Sequence, residues 1–356
     1  MKYSKAYLSA IGYRLAPVVV TSEELEERLE PAYRRLHLQS GQLEALTGIR
    51  ERRWWEPNPS LSGPCAEAAE RALSAAGVAA SEVEAVIYAG VCRENFEPAT
   101  ACAVAARLGV HPDAAIFDIS NACLGVINGI LELANRIELG QIRAGLVVSA
   151  ETAREIVEVT IDHLNREATL ENFTPSLATL TGGSGAVAVL VTDGSFSSGS
   201  QPAGGRLRAG VHCAAPEHHE LCRWGLAGSS TLHALDPRGQ RMDTDSIGVL
   251  QHGVELGVRT WEKLLAEVEW STADVDRVIC HQVGGPHRDT ILGRIGVDPS
   301  RDFSTFPYLG NIGTVSLPIT AAIAHERGFL GAGQRVAFLG IGSGLNCLML
   351  GVEWST

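Results

Sequence analysis

Runs of consecutive β-branched and aliphatic residues alternate along the chain with longer stretches of helical spacing. SEVEAVIY at 81–88 and ADVDRVIC at 273–280 match at an offset of 192. Each opens on an acidic turn, and each follows a helical pattern, 66–76 and 258–268. Further on, GQIRAGLVVSA from Gly140 corresponds to GQRVAFLGIGS from Gly333 at an offset of 193, and long apolar helices are predicted before them, at 124–139 and 315–327. Buried parallel strands read as continuous apolar runs separated by helices, so two ordered copies of strand, helix, strand predict a duplicated α/β architecture. The stretch 153–239, rich in Gly, Ser, His and Thr, has no counterpart at that offset and is expected to be an insertion forming a cap or tunnel wall. The halves are then 1–200, containing the first part of that insertion, and 241–356.

Composition narrows the class. With 356 residues, 45% hydrophobic and 20% charged, the chain can bury a large core. A net charge of −12, with no basic run longer than Arg50 to Arg53, argues against a nucleic-acid or anionic-membrane surface. The eight cysteines lack the dense spacing of a secreted disulfide scaffold, which points to a reducing compartment. Gly12, Tyr13, Arg14 and Pro17 interrupt any signal-like N-terminal segment, and no apolar run reaches bilayer length. A soluble cytoplasmic enzyme is the expectation.

Three residues carry candidate chemistry. Cys123 is predicted to follow a strand ending near Ser120, a sharp turn at Asn121-Ala122, and to begin a helix. Free N–H groups and the helix dipole there would lower a thiol pKa and could hold an oxyanion, as a covalent nucleophile requires. A buried structural cysteine is the ordinary alternative. His281 emerges at the carboxyl end of a buried strand, where α/β sheets gather ligands, although a histidine there is often only hydrogen-bonded structure. Asn311 lies in a Gly-flanked loop entering the second long helix, equivalent to the turn before Cys123; a helix cap would explain it locally. In the closing turn FLGIGSGLN, the backbone N–H of Ser343 is a candidate oxyanion donor. A dinucleotide reading of that turn is not expected, since neither a helix nor an acidic ribose ligand is predicted after it.

TGIRERR at 47–53, DISNACLGVINGI around Cys123, CHQV at 280–283, GNIGTVSLPI around Asn311 and GIGSGLN near the end together resemble the β-ketoacyl-acyl-carrier-protein synthase III branch of the thiolase superfamily, over essentially the whole chain. The resemblance implies a five-layered αβαβα fold with pseudo-twofold halves, a homodimer, a buried acyl tunnel, and a Cys123–His281–Asn311 triad. In it Cys123 takes the first acyl chain while His281 and Asn311 hydrogen-bond the thioester oxygen of the second donor. The greatest likeness is to the olefin-pathway thiolases that join two acyl-CoA chains head to head without decarboxylation. Their SRDYLEPST segment corresponds to CRENFEPAT at 92–100, and the glutamate matching Glu97 enters the partner subunit's active site as a base. A plain acyl-CoA must lose an α-proton, whereas a malonyl donor generates its carbanion by losing CO₂, so a carboxylate fits the former. From pattern alone Glu97 would be a surface residue. Pro286 stands where initiating synthases carry an arginine, and Leu43 and its neighbours where they carry a CoA-stacking tryptophan; Arg50, Arg52 and Arg53 remain a candidate phosphate-binding cluster, with surface ion pairs as the alternative.

The expected function is therefore acyl transfer by Claisen condensation of two fatty acyl-CoAs, with no cofactor beyond the thioester substrate. Three alternatives stand beside it: decarboxylative condensation with malonyl-CoA or malonyl-acyl carrier protein, a non-catalytic acyl-binding subunit, and acyl transfer to oxygen or nitrogen. His212, Cys213, His218, His219 and Cys222 have no standard zinc spacing, so no metal is expected, and they are placed at the substrate entrance. Trp54, Trp55 and Trp224 are expected to pack.

Overall fold

A computed structural model describes residues 1–196, 204–226 and 240–355. Its apolar runs form one curved series of strands that divides at a narrow seam. On one side lie, in spatial order, Ala115–Ile119, Ala85–Ala89, Ala144–Glu151, Gly185–Thr192 and Tyr7–Leu15. On the other lie Gly205–Ala214, Asn346–Trp354, Arg335–Gly342 and Arg277–Cys280. Among the described residues the seam is crossed by the pairs Tyr7 with Arg206 and Leu8 with Gly205 and by the bridge Lys2 with Ala209, so the nine strands fall into two sheets joined along a short edge. The pairing repeats between them. Ala85–Ala89 lies parallel to Ala144–Glu151, which is antiparallel to Gly185–Thr192; Arg277–Cys280 lies parallel to Arg335–Gly342, which is antiparallel to Asn346–Trp354.

Helices Gly125–Glu138 and Ser316–Glu326 fill the space between the sheets, sharing one apolar cluster with Ile87, Val189, Phe338 and Leu350 from both of them. Ser316–Glu326 is buried from Ser316 to Ala324, which is why its sequence is apolar all round rather than striped. Close approach matters for the other helix: a Cβ on Gly129 would lie 2.7 Å from Val147 Cγ1. Ser62–Ala76 and Thr100–Leu108 cover the outer face of the first sheet, and Ser246–Val268 and Gly285–Ile295 that of the second. The result is the expected five-layered αβαβα arrangement. The acidic turns of the repeat are also present: Glu82 Oε2 accepts from Ala79 N, and Asp274 Oδ2 from Ser271 N.

The expected insertion is narrower than 153–239, because Gly185–Thr192 and Gly205–Ala214 are integral strands of the two sheets. The offset between equivalent strands falls from 191, Ala144 against Arg335, to 161, Gly185 against Asn346, so the extra material before residue 185 amounts to 30 residues. It consists of helices Arg154–Glu167 and Leu170–Leu180. A constant offset could not register strands that follow this addition. No helix among the described residues is long and apolar enough to cross a membrane.

Candidate active site

Strand Ala115–Ile119 ends one step before the turn carrying Cys123. Ala122 has φ +43°, a region that side chains with a Cβ rarely occupy, and it throws the chain into the 3-10 turn Ala122–Leu124 and then helix Gly125–Glu138. The equivalent turn in the second half, Gly313–Val315, is entered through Gly313 at φ +59° and leads into Ser316–Glu326. The two turns abut: Thr314 Oγ1, in the place equivalent to Cys123, accepts from Val126 N at 2.8 Å. Asn346 Nδ2 donates to Asn121 Oδ1, whose own Nδ2 donates to Asn128 Oδ1, tying the Cys123 turn to the last strand.

Cys123, Asn311, Gly313 and Ser343 line one cavity of about 930 Å³, so three of the candidates from both halves share a space. The size suits an acyl chain with part of its carrier. Burial pushes the Cys123 thiol up to about 12, with Cys222 and Glu151 nearby adding to the effect. The expectation of a thiol made acidic by its helix is thereby corrected: desolvation outweighs the backbone N–H groups, and the resting group is a thiol that needs a proton acceptor.

Asn311 is held by residues before Gly185, with its N–H on Thr181 O and its carbonyl accepting from Gly183 N. Asn311 Oδ1 accepts from Gly313 N at 3.1 Å, which leaves the side-chain NH₂ free to donate to a substrate oxygen. His281 is anchored by its backbone N–H to Leu339 O and lines a separate cavity of about 30 Å³ together with His287 and Gly340. It joins the larger site through Ser316, whose Oγ lies 3.0 Å from His281 Nδ1 and 2.5 Å from Gly313 O. A carbonyl can only accept, so the single hydroxyl proton belongs to Gly313 O and Nδ1 must be the donor to Oγ. Neutral His281 therefore has a bare Nε2, an acceptor rather than the expected oxyanion donor. Burial, with His287 nearby, pushes its pKa down to about 4, so the ring is neutral near pH 7. Gln282, the other half of the His-Gln pair, serves the backbone: Oε1 accepts from Thr305 and Phe306, and Nε2 donates to Cys280 O.

Two sets of candidates lie elsewhere. Glu97 is exposed on the loop 90–99 and outside its own chain's cavity. The arginines form no cluster, because strand Glu51–Trp54 turns alternate residues to opposite sides. Arg52 is 1% exposed and donates to Val20 O, Leu180 O and Ser22 Oγ, a structural role that corrects its expected phosphate contact. Arg50 is exposed, Arg53 half-buried, and neither lines the cavity.

Among the described residues, the cations that do line it are Arg223 and Arg241, on the paired strands Cys222–Leu226 and Gln240–Thr244, which also bring Trp224 to the cavity. No local pattern marked these residues. Trp224 is 37% exposed, so the packing expected of it is corrected, whereas Trp54 and Trp55 are buried and donate to Gly182 O and Glu151 O. Of the histidine- and cysteine-rich group, Cys222 alone lines this cavity, and His218 instead stacks on His252 at 3.8 Å. Glu151 was also missed. It is a buried cavity-lining carboxylate whose pKa burial raises, although hydrogen bonds from Val91, Cys92 and the Cys92 side chain oppose this. Its signal was legible, a charge closing the apolar run GLVVSAE at the carboxyl end of a strand.

Comparison with known proteins agrees over the whole chain. The family model for the thiolase N-terminal domain matches residues 62–174, and that for the C-terminal part of 3-oxoacyl-[acyl-carrier-protein] synthase III matches residues 265–354. An acyl-CoA:acyl-CoA alkyltransferase of Shewanella oneidensis is 53% identical over 99% of this chain and 100% of its own length. Its namesake in Xanthomonas campestris is 35% identical, again over 99% and 100%. Crystal structures of Xanthomonas campestris OleA superpose with a TM-score of 0.91 at 34% identity, covering 99% of this chain and 98% of that one. One further OleA structure, with bound lauric acid and lauroyl-CoA, has a TM-score of 0.90 at 34% identity and covers 99% of this chain and 100% of that one.

Proposed function

Because the chain belongs to the acyl-CoA:acyl-CoA alkyltransferase family of the thiolase superfamily, we propose that it joins two fatty acyl-CoAs head to head, without decarboxylation, through an acyl-Cys123 intermediate. The observation that carries this reading is the convergence of Cys123, Asn311 and Ser343 on one large cavity. In the first half-reaction the thiol attacks the acyl-CoA carbonyl and its proton passes to His281 Nε2. The backbone N–H groups of Cys123 and Ser343 hold the oxyanion. On collapse the CoA sulfur leaves and takes the proton, returning His281 to its neutral form. A second acyl-CoA then loses an α-proton to Glu97, and Asn311 donates to the enolate oxygen. The α-carbon attacks the acyl-Cys123 carbonyl, a C–C bond forms and the C–S bond breaks, and the proton taken up by Glu97 is returned to the Cys123 thiolate, which resets both groups. The product is a β-ketoacyl-CoA.

Glu97 would act across a homodimer. Its exposure supports this, as does Ala115–Ile119, whose outer edge has no strand partner among the described residues. Arg223 and Arg241 are assigned to the phosphates of CoA in place of Arg50, Arg52 and Arg53. Eight free thiols suit a cytoplasmic setting. The test is incubation with a long-chain acyl-CoA alone, following CoA release and product mass, beside Glu97→Ala and a malonyl-acyl-carrier-protein control. A β-keto product from acyl-CoA alone, lost in the variant, is expected; turnover only with malonyl donor would overturn the reading in favour of a decarboxylating synthase.

A further inference from the structure

Residues 90–99 join strand Ala85–Ala89 to helix Thr100–Leu108 without regular structure, yet carboxylates fasten the loop at three places. At its start Glu151 accepts from Val91 N at 2.9 Å and Cys92 N at 3.2 Å. In the middle, Glu94 Oε1 accepts from the backbone N–H groups of Leu61 and Ser62 at 2.9 and 3.1 Å, and from the hydroxyls of Ser60 and Ser62 at 2.7 and 3.0 Å. At its end Asp118 accepts from Thr100 N at 2.9 Å and Ala101 N at 3.0 Å. The helices Ser62–Ala76 and Thr100–Leu108 follow Leu61 and Ala99, neither of which supplies a capping side chain. Their free N-terminal N–H groups are satisfied instead by Glu94, carried on the loop, and by Asp118, from a neighbouring strand. A carboxylate is favoured at both places by the N–H groups and the helix dipole.

Between the second and third fastenings only 95–99 project, and there Phe96 is 64% exposed and Glu97 is exposed. A loop meant only to connect needs no such anchoring, whereas a base acting in another subunit must arrive in one orientation. We infer that Glu94 is a positioning residue for Glu97, clamping the root of the tip to the start of helix Ser62–Ala76 so that the Glu97 carboxylate is presented to the partner's cavity in a fixed direction. This rests on Glu97 being the base, as proposed above. Removing Glu94 should leave acylation of Cys123 intact and slow only the step that takes the α-proton.

The experiment compares Glu94→Ala, Glu94→Gln and the double variant Ser60→Ala/Ser62→Ala with Glu97→Ala, using a long-chain acyl-CoA. Two readouts separate the steps: the burst of CoA release per active site, and exchange of the α-proton of bound acyl-CoA in D₂O. Glu94→Ala should keep the burst and the dimer while α-exchange and kcat fall about 10- to 100-fold with little change in KM, as expected for a misplaced base. Glu94→Gln keeps the oxygen that accepts all four bonds and should restore kcat to within about threefold, and the serine pair should fall between. Wild-type exchange in a folded Glu94→Ala protein, or loss of the burst in both Glu94→Ala and the serine variant, would overturn the inference. If Glu97→Ala itself condenses normally, the base assignment fails first; if it is inert while Glu94→Ala is normal, only the positioning role fails.

Discussion

Ala122–Leu124 and Gly313–Val315 occupy equivalent places in the two halves, each a single 3-10 turn entered at positive φ and continued by a central helix. At the middle of one stands Cys123, facing the large cavity; at the middle of the other stands Thr314, fully buried and spent on capping the first half's helix. Duplication thus supplied two identical launching points for a side chain. The difference is in what surrounds them, since one opens on empty volume and the other is filled by its neighbour's backbone. Asn311 and His281 are held to the second turn through Gly313 and Ser316, so the filled half serves as the frame that orients the groups around the open one.

The largest effect that sharpens this contrast is at the open turn. Cys123→Ala should lower turnover at least about a thousandfold and abolish the CoA burst, read by stopped-flow thiol detection, without loss of fold. Next comes His281. Its folded pKa, about 4, lies below the ordinary 6.5, so protonation favours the unfolded chain. The stabilisation is complete above pH 6.5 and is lost as pH falls towards 4, about 3 kcal/mol at most. Denaturant unfolding of wild type and His281→Phe across that window should diverge, the variant being flatter; parallel curves would remove His281 as the cause.

Smaller effects distinguish the turns themselves. Gly313→Ala places a Cβ at φ +59° and 3.3 Å from Glu151 Cγ, and should cost about 1–2 kcal/mol in denaturant unfolding. Ala122→Gly removes strain but adds unfolded-state entropy, so its stability should move by less than about 0.5 kcal/mol. Equal losses would mean that the turns are not built alike. Thr314→Val leaves Val126 N without its partner and should cost about 1 kcal/mol, measurable as a lower unfolding midpoint.

Local pattern was enough to find the candidates whose chemistry follows from chain direction. Cys123 and Asn311 were legible because strand end, turn and helix start are written within a dozen residues, and because the motif recurs near offset 192. Glu94 and Asp118 were not, since each serves backbone N–H groups more than ten residues away and nothing in its own neighbourhood marks the partner. Arg52 looked like part of a basic cluster for a similar reason: three arginines within four positions read alike in sequence, while a two-residue strand period sends one of them into the interior.

What the sequence alone determined is the repeated order of strands and helices, the apolar central layer, and the turn that exposes Cys123, because apolar periodicity and backbone preference act over a few residues. Only the tertiary structure decided the ionisation and direction of the groups. Burial turned Cys123 into a protonated thiol, one shared hydroxyl proton on Ser316 set which nitrogen of His281 is bare, and sheet packing chose Arg223 and Arg241 rather than Arg50 or Arg53 to face the cavity. Desolvation and hydrogen-bond direction depend on the groups that fill the surrounding volume, and those come from distant parts of the chain.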